Sequence, residues 1–331
     1  MKKISNGKET LVQDMLTGYA KANADRVELR DGNILYRRNK KSSRKVAVMI
    51  GNGSGHEPCM IDLVGKGLFD ANVCGKIFTA PSSLEMIKAI RSLHEDGHRD
   101  ILILVSSHAG DILNAKMAIM LAQAEGIEAK MVVLWDDVAS APKGMEEERR
   151  GTAGLFFPYK LTCAAAEDGM SMDELIRFSE KVRDNTRCLS VAISSGTHPE
   201  TGLKTFELPD DEIEVGMGVH GEAGTGRMKM TTAQNLVKYM LDIIVADMPY
   251  ERGDDVMVLL NNAGSMTYME LYIIYGEIAD YLEAKGIHVV RNWIGTYVTT
   301  QEMSGFSIAL CKCDNQILKY YDFPAESPLF R

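Results

Sequence analysis

The chain lacks the features that would tie it to an oxidising compartment, a membrane or nucleic acid. Its six cysteines, at positions 59, 74, 163, 188, 311 and 313, include no C-x-x-C pair. Thiols scattered in this way read as free and as belonging to a reducing cytosol, not as a disulfide framework or a structural metal site. There is no basic excess: 37 Lys and Arg stand against 46 Asp and Glu, a formal net charge of -9. That balance excludes nucleic acid as the main partner, because phosphate binding needs a basic face. No apolar run approaches the length of a membrane span. The opening MKKISNGKETLVQDML has no apolar core of the signal-peptide kind. The expectation is a soluble, cytoplasmic protein with no membrane contact and no direct nucleic-acid contact.

What is present is an ordinary globular composition, 45% hydrophobic and 25% charged, over 331 residues. That length exceeds what one core usually spans and predicts two domains. Lys45–Ile50 (KVAVMI), Asp100–Val105 (DILILV) and Lys130–Leu134 (KMVVL) are short apolar, β-branched runs, the pattern of buried strands. Leu84–Leu93 and Ile112–Ala124 between them carry apolar residues at helical spacing. The β-α-β-α-β rhythm predicts an α/β fold whose first domain has a largely parallel sheet flanked by helices. Pro142–Arg150 (PKGMEEERR) reads as a surface loop, and 152–183 as two helices joined near 168–171. Cys188–Ser194 reads as a strand opening a second α/β domain. It is followed by a glycine-rich segment at 216–226, helices around 233–242 and 269–285, and strands at 256–260, 287–291 and 306–311. The boundary is placed near 185, giving domains 1–185 and 186–331.

In open α/β sheets ligands sit beyond the carboxyl ends of the strands, so the residues after each strand carry the functional reading. KVAVMI is followed by Gly51-Asn52-Gly53-Ser54-Gly55-His56-Glu57-Pro58. Closely spaced glycines let backbone N–H groups approach a ligand, and a histidine and a glutamate follow at once. This is not G-x-x-x-x-G-K-[ST], so it is not a nucleotide P-loop. DILILV is followed by Ser106-Ser107-His108-Ala109-Gly110-Asp111, where Asp111 is placed either to cap the next helix or to accept a proton. The third segment, Gly216-Met217-Gly218-Val219-His220-Gly221-Glu222-Ala223-Gly224, sets one histidine among four glycines. Such a ring is accessible, not core-packed. His56, Asp111 and His220 form the constellation, with Glu57 and Glu222 as orienting groups. Two histidines with carboxylates can also hold a metal, but no H-x-x-x-H or H-E-x-x-H spacing is present. A neutral imidazole is a nucleophile, and a His–Asp set does acid–base work near neutral pH.

These segments, in this order and spacing, resemble the ketose-binding subunit of dihydroxyacetone kinases over nearly the whole chain. GNGSGHEP (51–58), IFTAPSS (77–83), RRGTAGLFFPYKL (149–161), GMGVHGEAG (216–224), LLNNAGS (259–265) and IGTYVTTQEMSGFSIALCK (294–312) carry the likeness. The resemblance implies that His220 attacks the ketone carbonyl and holds dihydroxyacetone as a hemiaminal. It implies that His56 and Asp111 hold the substrate and move the proton of the hydroxyl to be phosphorylated, while Gly53, Ser54 and Gly55 contact the ketose hydroxyls. It implies no cofactor and no metal in this chain. ADP or ATP with Mg²⁺ is expected on a separate nucleotide-binding kinase subunit, in one branch recharged by the phosphotransferase system, and the chain is expected to be a homodimer serving glycerol metabolism. The family usually has Lys-Asn-Tyr-Thr before the Gly-Asp pair, and here Ser106-Ser107-His108-Ala109 stands instead, so Ser106 takes the place of a substrate-touching lysine. The alternatives are a kinase subunit for a four-carbon ketose such as erythrulose, and a non-catalytic ketose sensor that co-activates a transcription regulator.

Overall fold

The computed structural model describes residues 3–330. The chain forms two compact units, and neither is continuous in sequence. The first takes the chain through Leu134, then Pro158–Lys181, then the chain from Lys319 on; the second takes Trp135–Phe157 and Val182–Leu318.

The first unit begins with α1 (Leu11–Ala22) and the hairpin β1 (Val27–Arg30) and β2 (Ile34–Arg37). The hairpin turns through Asp31 and Gly32, with φ of 51° and 80°, an Asp-Gly pair suited to left-handed backbone. Then come β3 (Ala47–Ser54), β4 (Ala71–Ile77), α2 (Ser83–Glu95), β5 (Asp100–Ser106), α3 (Ala109–Ala124) and β6 (Glu128–Leu134). The six strands lie in the order β1-β2-β4-β3-β5-β6. β4, β3, β5 and β6 are mutually parallel, and only β2 runs counter, antiparallel to both β1 and β4. The sheet is therefore largely parallel, as its rhythm predicts. Ser82 and Glu85 close a capping box at the start of α2, so S-x-x-E fixes where that helix begins. Met86, Ile87, Ile90 and Leu93 of α2 and Ala115, Ala118 and Ala122 of α3 bury against Ala47, Met49, Ile101 and Ile103 of the sheet.

α4 (Phe156–Asp168) and α5 (Met172–Asp184) follow. Most of α4 belongs to the first unit because its side chains are tied there. The fully buried Lys160 donates to the carbonyls of Tyr320 and Phe323, at 2.7 and 2.6 Å, and Tyr159 packs edge-on against Phe69. Burial lowers the Lys160 ammonium to about 8.

The second unit contains β7 (Thr186–Ser194), β8 (Glu212–Val215), β9 (Gly226–Lys229), α6 (Ala233–Asp247), β10 (Asp255–Asn262), α7 (Tyr268–Lys285), β11 (His288–Gly295) and β12 (Ser304–Lys312). Its strand order is β11-β10-β12-β7-β8-β9, and only β10 and β11, joined through α7, are parallel. Leu236, Val237, Met240, Leu241 and Ile244 of α6 and Leu271, Ile274, Ile278 and Leu282 of α7 form its core with Val256, Val258, Leu260, Ile308 and Leu310.

A single cut at 185 lies close to the crossing between Lys181 and Val182, but the units are interleaved. Residues 135–157 join the second unit through backbone pairing and a buried ion pair. The backbone at Asp137 forms a parallel β-bridge with Cys188, whose N–H donates to the Asp136 carbonyl at 2.8 Å, while inside the segment the buried Asp136 carboxylate accepts from the N–H and hydroxyl of Thr152. The segment 142–150 is not simply a polar surface loop. Arg149 is fully buried and forms a two-pronged pair with Asp247. All six cysteines are free thiols. Among the described residues, no helix is long and apolar enough to cross a membrane.

Candidate functional site

In the first unit, the chemistry-bearing segments leave the carboxyl ends of the adjacent parallel strands β3 and β5. β3 is buried along its whole length. Gly53 is fixed by close backbone approach: a Cβ there would lie 2.7 Å from the Thr79 nitrogen and 3.1 Å from the Phe78 carbonyl carbon. No rotamer can relieve a backbone-to-backbone clash. Gly53→Ala is expected to destabilise the protein by about 1–3 kcal/mol and to displace the loop that follows; thermal denaturation of the variant checks this.

Ser54 donates its hydroxyl to the Gly75 carbonyl at 2.8 Å. His56 is buried, 4% exposed, with its ring 5.1 Å from that of Phe78. Glu57 folds back so that its carboxylate accepts the Gly55 N–H at 2.9 and 3.1 Å. Burial raises that carboxyl's pKa. Glu57 thus closes the turn around His56.

At the end of β5, the buried Ser106 hydroxyl hydrogen-bonds the Nδ1 of His108 at 2.9 Å. His108 occupies the N-cap position of α3, so Asp111 is the third helical residue and not its cap. A carboxylate in the first turn faces the positive end of the helix dipole, which favours its charged form. Asp111 is buried, 8% exposed. The fold therefore brings the His56 turn and the Asp111 turn to the carboxyl end of the same sheet, on neighbouring interior strands.

His220 stands in the second unit, in the loop between β8 and β9. Here the glycines make room for a carboxylate: a Cβ on Gly218 would run into the Glu222 carboxylate and come within 2.7 Å of Arg150. Glu222 accepts from the backbone N–H of His220 at 2.8 Å and meets its Nδ1 at 2.9 Å. A carboxylate only accepts, so Nδ1 carries a proton, and in the neutral ring the lone pair then lies on Nε2. Burial works to raise the Glu222 carboxyl, but the imidazole's hydrogen bond and charge, with the backbone N–H groups, outweigh it and hold it at about 2. The His220 side chain remains 26% exposed, accessible yet held.

The rest of the loop is anchored by residues that motif reading passed over. Arg150 reaches the Gly216 carbonyl at 3.1 Å while its guanidinium pairs with buried Asp137 at 2.7 Å. Thr300 donates its hydroxyl to the Val219 carbonyl at 2.7 Å. Arg150 and Thr300 fall within stretches quoted above for their resemblance, but nothing in the residue types alone assigns them this task.

Glu222→Gln keeps an acceptor for Nδ1 but removes the charge. Because the folded carboxyl lies at about 2, below its ordinary value of 4.5, its stabilising contribution is complete above about pH 4.5 and lost as pH falls toward 2. The denaturation midpoint of the variant is expected below wild type at neutral pH, with the gap closing as the pH falls through that window.

A profile of the Dak1 domain matches residues 17–329. The chain belongs to the Dak1 domain family. Over 316 residues it is 37% identical to the PTS-dependent dihydroxyacetone kinase 1, dihydroxyacetone-binding subunit DhaK, of Listeria innocua, covering 96% of this chain and 95% of that protein. It is 35% identical to the D-erythrulose kinase of Mycolicibacterium smegmatis, a match that takes in 100% of this chain and 57% of that longer protein. Among solved structures, the dihydroxyacetone kinase operon co-activator Dha-DhaQ superposes with a TM-score of 0.88 at 28% identity, over 95% of this chain and 96% of that one.

Proposed function

We propose that this chain is the ketose-binding subunit of a dihydroxyacetone-type kinase and that it retains its substrate covalently on His220. The observation that carries the reading is the His220–Glu222 pair. It holds a proton on Nδ1, so that the neutral ring offers Nε2 as its nucleophile, in a loop where the ring stays accessible. Attack by Nε2 forms a C–N bond to the ketone carbon, and the carbonyl π pair becomes the hemiaminal oxygen. The transient imidazolium is met by the Glu222 carboxylate, and the net movement is of one proton from the ring to that oxygen. Polyols have no electrophilic carbon, so the bond itself selects ketoses over glycerol. His56 and Asp111, on adjacent strand ends, would orient the terminal hydroxyl and take its proton during phosphoryl transfer. The phosphoryl donor, a nucleotide with Mg²⁺, would arrive on a separate subunit.

Support comes from the 37% identity to a subunit named for binding dihydroxyacetone, matched over nearly its full length. The test is carbon NMR with dihydroxyacetone labelled at its carbonyl. Conversion of the signal from a ketone to a tetrahedral carbon on mixing with protein supports the reading, and an unchanged ketone signal sinks it. A second reading is a ketose sensor. Its basis is Ser106, bonded to His108 where the family carries lysine, together with the close superposition on a co-activator. Turnover with the nucleotide-bearing subunit and three- or four-carbon ketoses separates the two.

A further inference from the structure

At the other end of the first unit's sheet, where the parallel strands begin, the chain carries its densest positive charge. Residues 37–45, RRNKKSSRK, hold six basic side chains in nine positions and no acid, within a protein of net charge -9. Arg38, Lys40 and Arg44 of this run are exposed, whereas Arg37 and Lys41 turn inward. They line a narrow cleft together with Arg30, Tyr36, Lys40, Asp70, Asp96 and His98. The cleft is remote in the fold from the carboxyl-end turns that carry His56 and Asp111.

The floor of the cleft is rigid. Lys41 is held by Asp70 at 2.7 Å and by the Val46 carbonyl at 3.2 Å; Arg37 pairs through one terminal nitrogen with Asp70 at 3.3 Å and Glu167 at 2.5 Å. These pairs leave the Arg37 Nε–H buried and without an acceptor among the described residues, although Arg37 is only 5% exposed. A buried donor left in that state is destabilising, and an oxygen that accepted from it would remove that cost. The rim is adjustable. Lys40 meets Asp96 in an exposed pair that opens at little cost. Arg30 pairs with Glu28, reaches the Ser92 hydroxyl at 3.2 Å, and lies 4.8 Å over the Tyr36 ring. The buried Tyr36 hydroxyl lies at the same cleft.

We propose that this cleft binds the phosphoryl group of a small anion, with the Arg37 Nε–H and the Tyr36 hydroxyl as fixed donors and Lys40 swinging from Asp96 onto the bound oxygens. Guanidinium and ammonium donors grouped around a fixed N–H are the chemistry that recognises a tetrahedral oxyanion. The site is separate from the ketose reading and stands or falls without it.

Calorimetric titration of the full chain with inorganic phosphate, at constant ionic strength against chloride, tests it. Wild type is expected to bind one phosphate per chain. Lys40→Glu is expected to weaken that binding by about tenfold or more, and Tyr36→Phe to weaken it measurably with the fold intact. Retention of ketose on His220, read by carbon NMR in the same variants, is expected to be unchanged. A parallel titration with glycerol 1-phosphate fixes the source: tighter binding than inorganic phosphate identifies a phosphorylated metabolite, and equal binding identifies the phosphoryl group alone. No heat above the chloride control, or equal phosphate affinity in wild type and both variants, overturns the proposal.

Discussion

His220→Ala is expected to abolish covalent ketose retention. The labelled carbonyl carbon of dihydroxyacetone should keep its ketone signal in the presence of the variant. Apparent affinity should fall by about two orders of magnitude or more, the gap between a covalent bond and the few hydrogen bonds that remain. The fold should survive, because His220 is partly exposed and its loop is held independently by Arg150 and Thr300. Circular dichroism and the thermal midpoint establish that point in the same preparation. Retention of the tetrahedral carbon signal in His220→Ala would remove the residue from its assigned role.

The second large effect is on turnover alone. Asp111→Asn conserves shape at a buried position in the first turn of α3 but removes the proton acceptor. Ketose retention should persist, while phosphorylation with the nucleotide-bearing subunit should fall by about 10²–10⁴-fold. Because only the chemical step loses its base, the loss should lie in kcat, with little movement in KM for the ketose. Undiminished kcat would assign Asp111 a structural part only.

The fold was legible where the physics is local. KVAVMI and DILILV are buried on both faces, so each shows as a continuous apolar run; KMVVL, on the edge strand β6, alternates buried and half-buried residues, and all three are parallel strands at the expected place. The elements not anticipated are those whose identity depends on neighbours. β1 carries Glu28 and Arg30 at a sheet edge, which hides its alternation, although the Asp31-Gly32 turn was a usable signal. β4 is interrupted by Gly75, where a Cβ would meet the Thr79 carbonyl. The interleaving of the two units left no mark in composition, because it rests on pairs far apart in sequence such as Arg149 with Asp247 and Lys160 with Phe323.

Strand-end reasoning placed His56 and Asp111 just beyond β3 and β5, and glycine density placed His220 in an accessible loop, and the fold has them there. Glu222 emerged as its orienting partner, as adjacency suggested, whereas Glu57 serves the Gly55 N–H. The Ser106 hydroxyl engages His108, a contact that the two-residue spacing alone does not specify.

The attachment of the last residues to the first unit has a consequence for synthesis. Lys160 holds the Tyr320 and Phe323 carbonyls, and the Gly67 backbone passes so close to Pro324 that no side chain could fit. By the time Leu318 leaves the ribosome, every segment of the second unit has been made, while the first still awaits its closing piece. Of the two units, the one begun first is thus the last able to finish folding, and Lys160 must wait for its acceptors with its charge already in place. In a nascent chain, the earlier-made sheet would stay open to proteases longer than the later-made one.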